Sequence, residues 1–195
     1  MIQGIYQLVY ENLSLQMAGI LLGIGLVAVH LAAYLNREPL EKQLVHFPRN
    51  RTWGMALLLV CTIWSYILIS EMDLGEFYNI RRIVTFALPI SFFVVLHYVP
   101  EFLAVRALGV LMLLAAGPLL NAAFLKPPFT RLLLPILAYA WIFVGIFWIG
   151  MPYLLRDWID WLLKGGKRRW DQLCFAGIGY GVLTLLCAAA FWGKA

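Results

Sequence analysis

The sequence predicts an all-α, polytopic membrane protein, with six transmembrane helices joined by short connections and an interfacial amphipathic helix between helices 5 and 6. Three observations carry this. The chain is 63% hydrophobic and 13% charged, with mean hydropathy +0.84, whereas soluble domains carry about 25% charged residues. Six apolar runs lie close to the ~20 residues that a helix needs to cross a bilayer. Ten of the 15 Lys and Arg fall in alternate connections, as expected when cations near span ends resist translocation. At 195 residues the spans use most of the chain, which reads as a single helical transmembrane domain, 1–195.

Ile2, Ile5, Tyr6, Val9 and Leu13 recur near helical spacing between Gln3, Gln7 and Glu11, which predicts a short helix lying in the membrane interface. The residues up to Ser14 lack the basic region and small-residue cleavage site of a signal peptide, so this segment is expected to be retained. Span 1, about 15–35, carries Gly19 and Gly23, a GxxxG pair that lets another helix approach closely. Residues 36–51, with Pro39 and Pro48, read as a polar connection. Span 2, about 52–70, is charge-free. The connection after it is acidic first (Glu71, Asp73, Glu76) and basic last (Arg81, Arg82).

Span 3, about 83–98, contains Pro89, which removes one backbone bond and predicts a kink. Span 4, about 100–125, is expected to begin at Pro100, a favoured first-turn residue. Gly117-Pro118 reads as an interruption near its far end, before the rigid turn at Lys126 to Arg131. Span 5, about 132–154, is charge-free and rich in Trp and Phe. After it Leu155, Trp158, Ile159, Leu162 and Leu163 share one face, with Arg156, Asp157, Asp160 and Lys164 largely away from it. Gly165-Gly166 ends this amphipathic helix. A basic cluster follows, and span 6, about 173–192, carries a second GxxxG pair, Gly177 and Gly181.

The positive-inside rule then sets the orientation. Arg37, Lys42, Arg49, Arg51, Arg106, Arg156, Lys164, Lys167, Arg168 and Arg169 fall on one side, against Arg81, Arg82, Lys126, Arg131 and Lys194 on the other. That assigns the first group to the cytoplasm of a cell (inner) membrane and both termini to the non-cytoplasmic side.

Chemistry is expected near the polar hinge between spans 3 and 4, where His97, Glu101 and Arg106 occur within ten residues. His30 and His97 lie near the same ends of their spans, so as axial ligands they could clamp a haem b iron inside an apolar bundle. Arg106 needs a partner if it lies inside the bilayer. Glu101, five residues away, is poorly spaced on one helix face, so an inter-helix pair, with Asp157 or Asp160 as further candidates, or an anionic ligand is expected. Lys164, Lys167, Arg168 and Arg169, beside Trp158, Trp161 and Trp170, suit anionic lipid headgroups at ~1 kcal/mol per basic residue.

Nucleic acid would require a larger basic surface. Cys61, Cys174 and Cys187 have no CxxC spacing, so packing is expected and neither a disulfide framework nor zinc. There is no GxSxG, HExxH, P-loop or paired-acid pattern to argue for an enzyme. Thr62, Ser65, Ser91, Asn121 and Thr184 are too few and too mild for an ion pathway. The leading expectation is therefore a non-catalytic integral membrane subunit, a scaffold or accessory component, that packs against other integral membrane subunits, lipids or cofactor-bearing partners. The alternatives are a haem b redox module built on His30 and His97, and a small transporter or lipid-handling enzyme using Glu101 and Arg106.

Overall fold

The computed structural model describes residues 2–194. Among the described residues nine α-helices follow one another: α1 (Ile2–Tyr6, continued by a π-helical turn, Gln7–Glu11), α2 (Leu15–Leu35), α3 (Arg37–His46), α4 (Arg51–Glu71), α5 (Arg81–Tyr98), α6 (Leu103–Ala123), α7 (Leu133–Gly150), α8 (Tyr153–Lys164) and α9 (Gly166–Ala190). Six of them, α2, α4, α5, α6, α7 and α9, are long and apolar enough to cross a membrane. The protein is an all-α, multi-pass membrane protein, with no strand among the described residues.

Local chemistry sets several boundaries. Ser14 Oγ accepts from the Met17 amide at 3.2 Å, and Asn50 Oδ1 accepts from the Trp53 amide at 3.2 Å, so α2 and α4 both start on a side-chain N-cap,. Pro100 disfavours a helical conformation at Val99, and α5 ends at Tyr98,. Pro152 acts in the same way on Met151. The fifth span therefore closes at Gly150 rather than near 154.

Pro100 is not the first turn of the fourth span. Phe102 sits between them in a left-handed conformation (φ 53), and its carbonyl accepts from the Val105 and Arg106 amides at 3.0 and 3.2 Å, which starts α6 at Leu103. Gly117-Pro118 does not interrupt α6, which runs through to Ala123 with Pro118 buried. A spanning helix tolerates the one lost bond because neighbouring helices pack around it. The last span begins earlier than its apolar run. Gly166, at φ 61, turns the chain after α8, so Lys167, Arg168 and Arg169 occupy the first turn of α9.

Small residues decide how the helices pair. Along α2 and α9, antiparallel neighbours, Gly19 lies against Trp192 and Ala188, and Gly23 lies against Gly181. One glycine of each GxxxG pair thus meets the other, while Gly177 lies under the His30 ring. On α6 and α7 the backbones close in at Gly109 and Gly145, and on α4 and α6 at Gly54 and Ala104. The core at one end joins these pairs through Leu15, Ala116, Leu134, Ala138, Ala188 and Trp192. At the other end α8 lays Leu155, Ile159 and Leu162 over Val105, Trp170 and Cys174, so its apolar face is covered by protein. Helix α5 packs chiefly on α4 and buries none of its residues.

Two short helices differ from the sequence-based reading. Residues 36–51 hold α3 and a 3-10 turn, Phe47–Arg49. Pro39 falls in the first turn of α3, where no intrahelical amide is needed. The amino-terminal helix packs at membrane depth along α4, with Ile5, Tyr6, Val9 and Tyr10 against Val60, Ile63, Trp64 and Ile67. Trp64 Nε1 donates to the Tyr10 hydroxyl at 2.8 Å, and Asn121 Nδ2 donates to the Tyr10 carbonyl.

Candidate functional site

The hinge end of the bundle holds the strongest concentration of polar groups. There α3 and its 3-10 turn face α8 across a cavity of about 340 Å³, lined by His46, Arg49, Phe102, Arg156, Ile159 and Asp160. Phe102 is held left-handed, a conformation costing about 1–2 kcal/mol for a residue with a Cβ. Its half-buried ring packs on the Val105, Leu155 and Ile159 cluster, which offsets that strain. Arg156 donates to Asp157 Oδ1 from Nε at 3.0 Å and from Nη2 at 2.7 Å, at an exposed position. This hydrogen bond and the Asp157 charge push the Arg156 pKa up. Asp160 is the one carboxylate lining a cavity that also has two guanidiniums and an imidazole, so the arrangement is suited to an anionic group at the membrane surface.

Arg106 lies beside this cavity and not in its lining. Helix α6 starts at Leu103, so Arg106 sits in the first turn, ~5 Å inside the helix end at ~1.5 Å per residue rather than the ~9 Å implied by a start at Pro100. The expected inter-helix ion pair does not form. Its Nη1 donates to the Ile149 carbonyl at 2.9 Å, while Nε is buried without a partner. Ile149 is in the last turn of α7, where carbonyls lack intrahelical amide donors. Arg106 therefore ties α6 to α7. The ion pairs among the described residues are Arg37–Glu41 at 2.5 Å and Arg156–Asp157 at 2.7 Å, with Glu101 exposed in the turn before α6.

His30 and His97 are not brought together. His30 Nδ1 donates to the Leu26 carbonyl at 2.8 Å, which fixes the proton there and leaves Nε2 as the free nitrogen. That nitrogen and Cδ2 lie directly over Gly177 of α9, so the α9 backbone stands where an axial iron would have to be. His97 is exposed at the end of α5, edge-on to Tyr98 with ring centroids 5.1 Å apart. In this packing the Nε2 of His30 faces the α9 backbone and not an open space between spans. Among the described residues no group of three or more metal-ligating side chains converges.

The basic cluster is divided. Arg169 turns back onto α8, donating from Nη1 to the Trp161 carbonyl at 2.6 Å and lying 4.4 Å from the centroid of the Trp161 ring. Lys164, Lys167 and Arg168 are exposed, and Lys167 lines a separate surface depression with Arg37 and Asp171. Trp158 and Trp161 are 39% and 53% exposed on α8, outside its protein-covered face. They are exposed, as the two lysines are. His46 and Arg49 were not among the residues expected to act. The signal that could have found them is the spacing of Leu40, Leu44 and Phe47, which marks a helix packed against α8.

Polar side chains in the spans are largely engaged with carbonyls. Thr62 donates to Leu58, Thr184 to Tyr180, Tyr180 to Leu133, Trp170 to Ala33 and Cys61 to Ala107. Comparison with protein families, curated proteins and solved structures gives no match.

Proposed function

We propose that this chain is a non-catalytic integral subunit of a larger membrane assembly, with α5 as its docking edge for a helix of another subunit. The observation that carries the reading is the position of α5: a full spanning helix with no buried residue, placed at the rim against α4. Its outer face presents Ile83, Ile90, Val94 and Tyr98, a smooth apolar ridge on which another helix gains van der Waals contact. The engagement of the span interior's hydrogen-bonding groups supports the same reading, because a transport route or reaction centre needs such groups free to meet its cargo.

The test is gentle extraction from native membranes followed by native mass spectrometry. The expected result is a stoichiometric complex that dissociates when Ile90 and Val94 are both replaced by Trp. A lone chain with turnover of its own, or a complex indifferent to those substitutions, overturns the proposal.

A further inference from the structure

We infer that the groove between α4 and α5, at the end of the bundle remote from the hinge, is a binding site for one anionic glycerophospholipid. This site is separate from the hinge cavity and independent of the subunit proposal. Its outer part is a cavity of about 440 Å³ lined by Ser70, Tyr78, Asn79, Arg81, Arg82 and Thr85, with no carboxylate in the lining. Beneath it, a further cavity of about 340 Å³ with an apolar surface is bounded by Leu59, Thr62, Ile63, Tyr66, Pro89 and Phe93, the Thr62 hydroxyl being engaged by the Leu58 carbonyl.

The two cavities are parts of one groove. On α4, Leu59, Ile63, Tyr66 and Ser70 fall at i, i+4, i+7 and i+11, and on α5, Arg82, Phe86, Pro89 and Phe93 repeat the same interval, so each set forms one stripe along its helix. From Leu59 to Ser70 the groove runs ~16 Å at ~1.5 Å per residue. That is about half of the ~30 Å hydrocarbon core, the depth of one leaflet and the reach of one acyl chain.

The charge at its outer end identifies the headgroup. Arg81 is held by an Nη2 donation to the Met72 carbonyl at 2.5 Å and lies 4.9 Å from the Tyr78 ring centroid, yet its Nε is buried without a partner. Neither Arg81 nor Arg82 forms an ion pair among the described residues. Glu71, Asp73 and Glu76 precede them in the chain, but none lines the cavity. Two uncompensated guanidiniums, three hydroxyls and an amide above an apolar slot complement a phosphodiester on an acyl-bearing glycerol.

The test uses the full chain in non-ionic detergent, with equimolar phosphatidylglycerol and phosphatidylcholine of identical acyl chains, read by native mass spectrometry. Phosphatidylglycerol is expected to be retained at least tenfold over phosphatidylcholine. Arg82 is exposed and holds no partner, so Arg82→Gln leaves the fold intact and lowers the preference about fivefold. Leu59→Trp fills the slot while leaving both arginines, and lowers retention of both lipids. Equal retention of the two lipids, an undiminished preference in Arg82→Gln, or unchanged retention in Leu59→Trp overturns the inference. Displacement of phosphatidylglycerol by millimolar inorganic phosphate identifies a bare anion site and also overturns it.

Discussion

Gly23 and Gly181 meet with only backbone between them: a methyl group on either would stand 2.9 Å from the carbonyl oxygen of the other. Small residues at such crossings allow the close van der Waals contact that holds spanning helices together in lipid. Gly23→Val and Gly181→Val are each expected to destabilise the α2–α9 pair by about 1–3 kcal/mol, the usual range for overpacking, lowering the thermal unfolding midpoint in detergent. Gly25 and Gly179 have open space around them. Gly25→Ala and Gly179→Ala should therefore leave the midpoint unchanged or raise it. Equal losses at all four positions would show that the direct approach is not what holds the pair.

Arg106 gives a prediction that separates a carbonyl tether from an ion pair. Arg106→Leu removes the donor to Ile149 and is expected to cost about 1.5–3 kcal/mol, typical of hydrogen bonds made by charged groups. Surface ion pairs weaken as salt rises, because the Debye length falls from ~10 Å at 0.1 M to ~3 Å at 1 M. The loss measured for Arg106→Leu should thus be the same in low and high salt. A loss that fades at high salt would return Arg106 to a carboxylate partner.

The spans were legible in the sequence because each must be apolar throughout its length, and both GxxxG pairs were visible as spacings. That Gly23 and Gly181 would meet each other is a tertiary fact that neither spacing contains. Boundaries differ where a basic residue continues a helix beyond its apolar run. Lys167, Arg168 and Arg169 continue α9 because the break lies at Gly165-Gly166, and the helix can emerge from the hydrocarbon without ending. The α3 helix was hidden by Pro39, which reads as a breaker until its first-turn position is known. At the candidate site, the ionic partner expected for Arg106 was a backbone carbonyl, a group that sequence patterns do not display. The pocket at Arg81 and Arg82 was invisible for a related reason, since its second wall comes from Ser70, eleven residues earlier.

The two histidines should respond unequally to truncation. The His30 ring fills the space above Gly177 and donates to Leu26, so His30→Ala opens a void and is expected to cost about 1–3 kcal/mol. His97 is exposed, and His97→Ala should stay within about 0.5 kcal/mol of the parent. Visible absorption measured on the same preparations provides the second readout. A Soret band abolished by either substitution would restore the haem reading against the packing of His30.

The native cysteines allow the arrangement of the ends to be tested without first removing them. Cys61, Cys174 and Cys187 are 2%, 2% and 7% exposed, so a membrane-impermeant maleimide should leave the parent chain unlabelled in sealed vesicles. Arg49 and Arg168 are exposed at the hinge end, while Glu76 and Phe129 are exposed at the opposite end. Arg49→Cys and Arg168→Cys are expected to label from one side of the membrane, and Glu76→Cys and Phe129→Cys only from the other. On the basic excess at the hinge end, the first pair is expected to label from the cytoplasmic side. Labelling of Arg49→Cys and Arg168→Cys from opposite faces would require an odd number of crossings between them. That would break the antiparallel pairing of α2 with α9, and with it the shared surface on which α3 and α8 build the basic cavity.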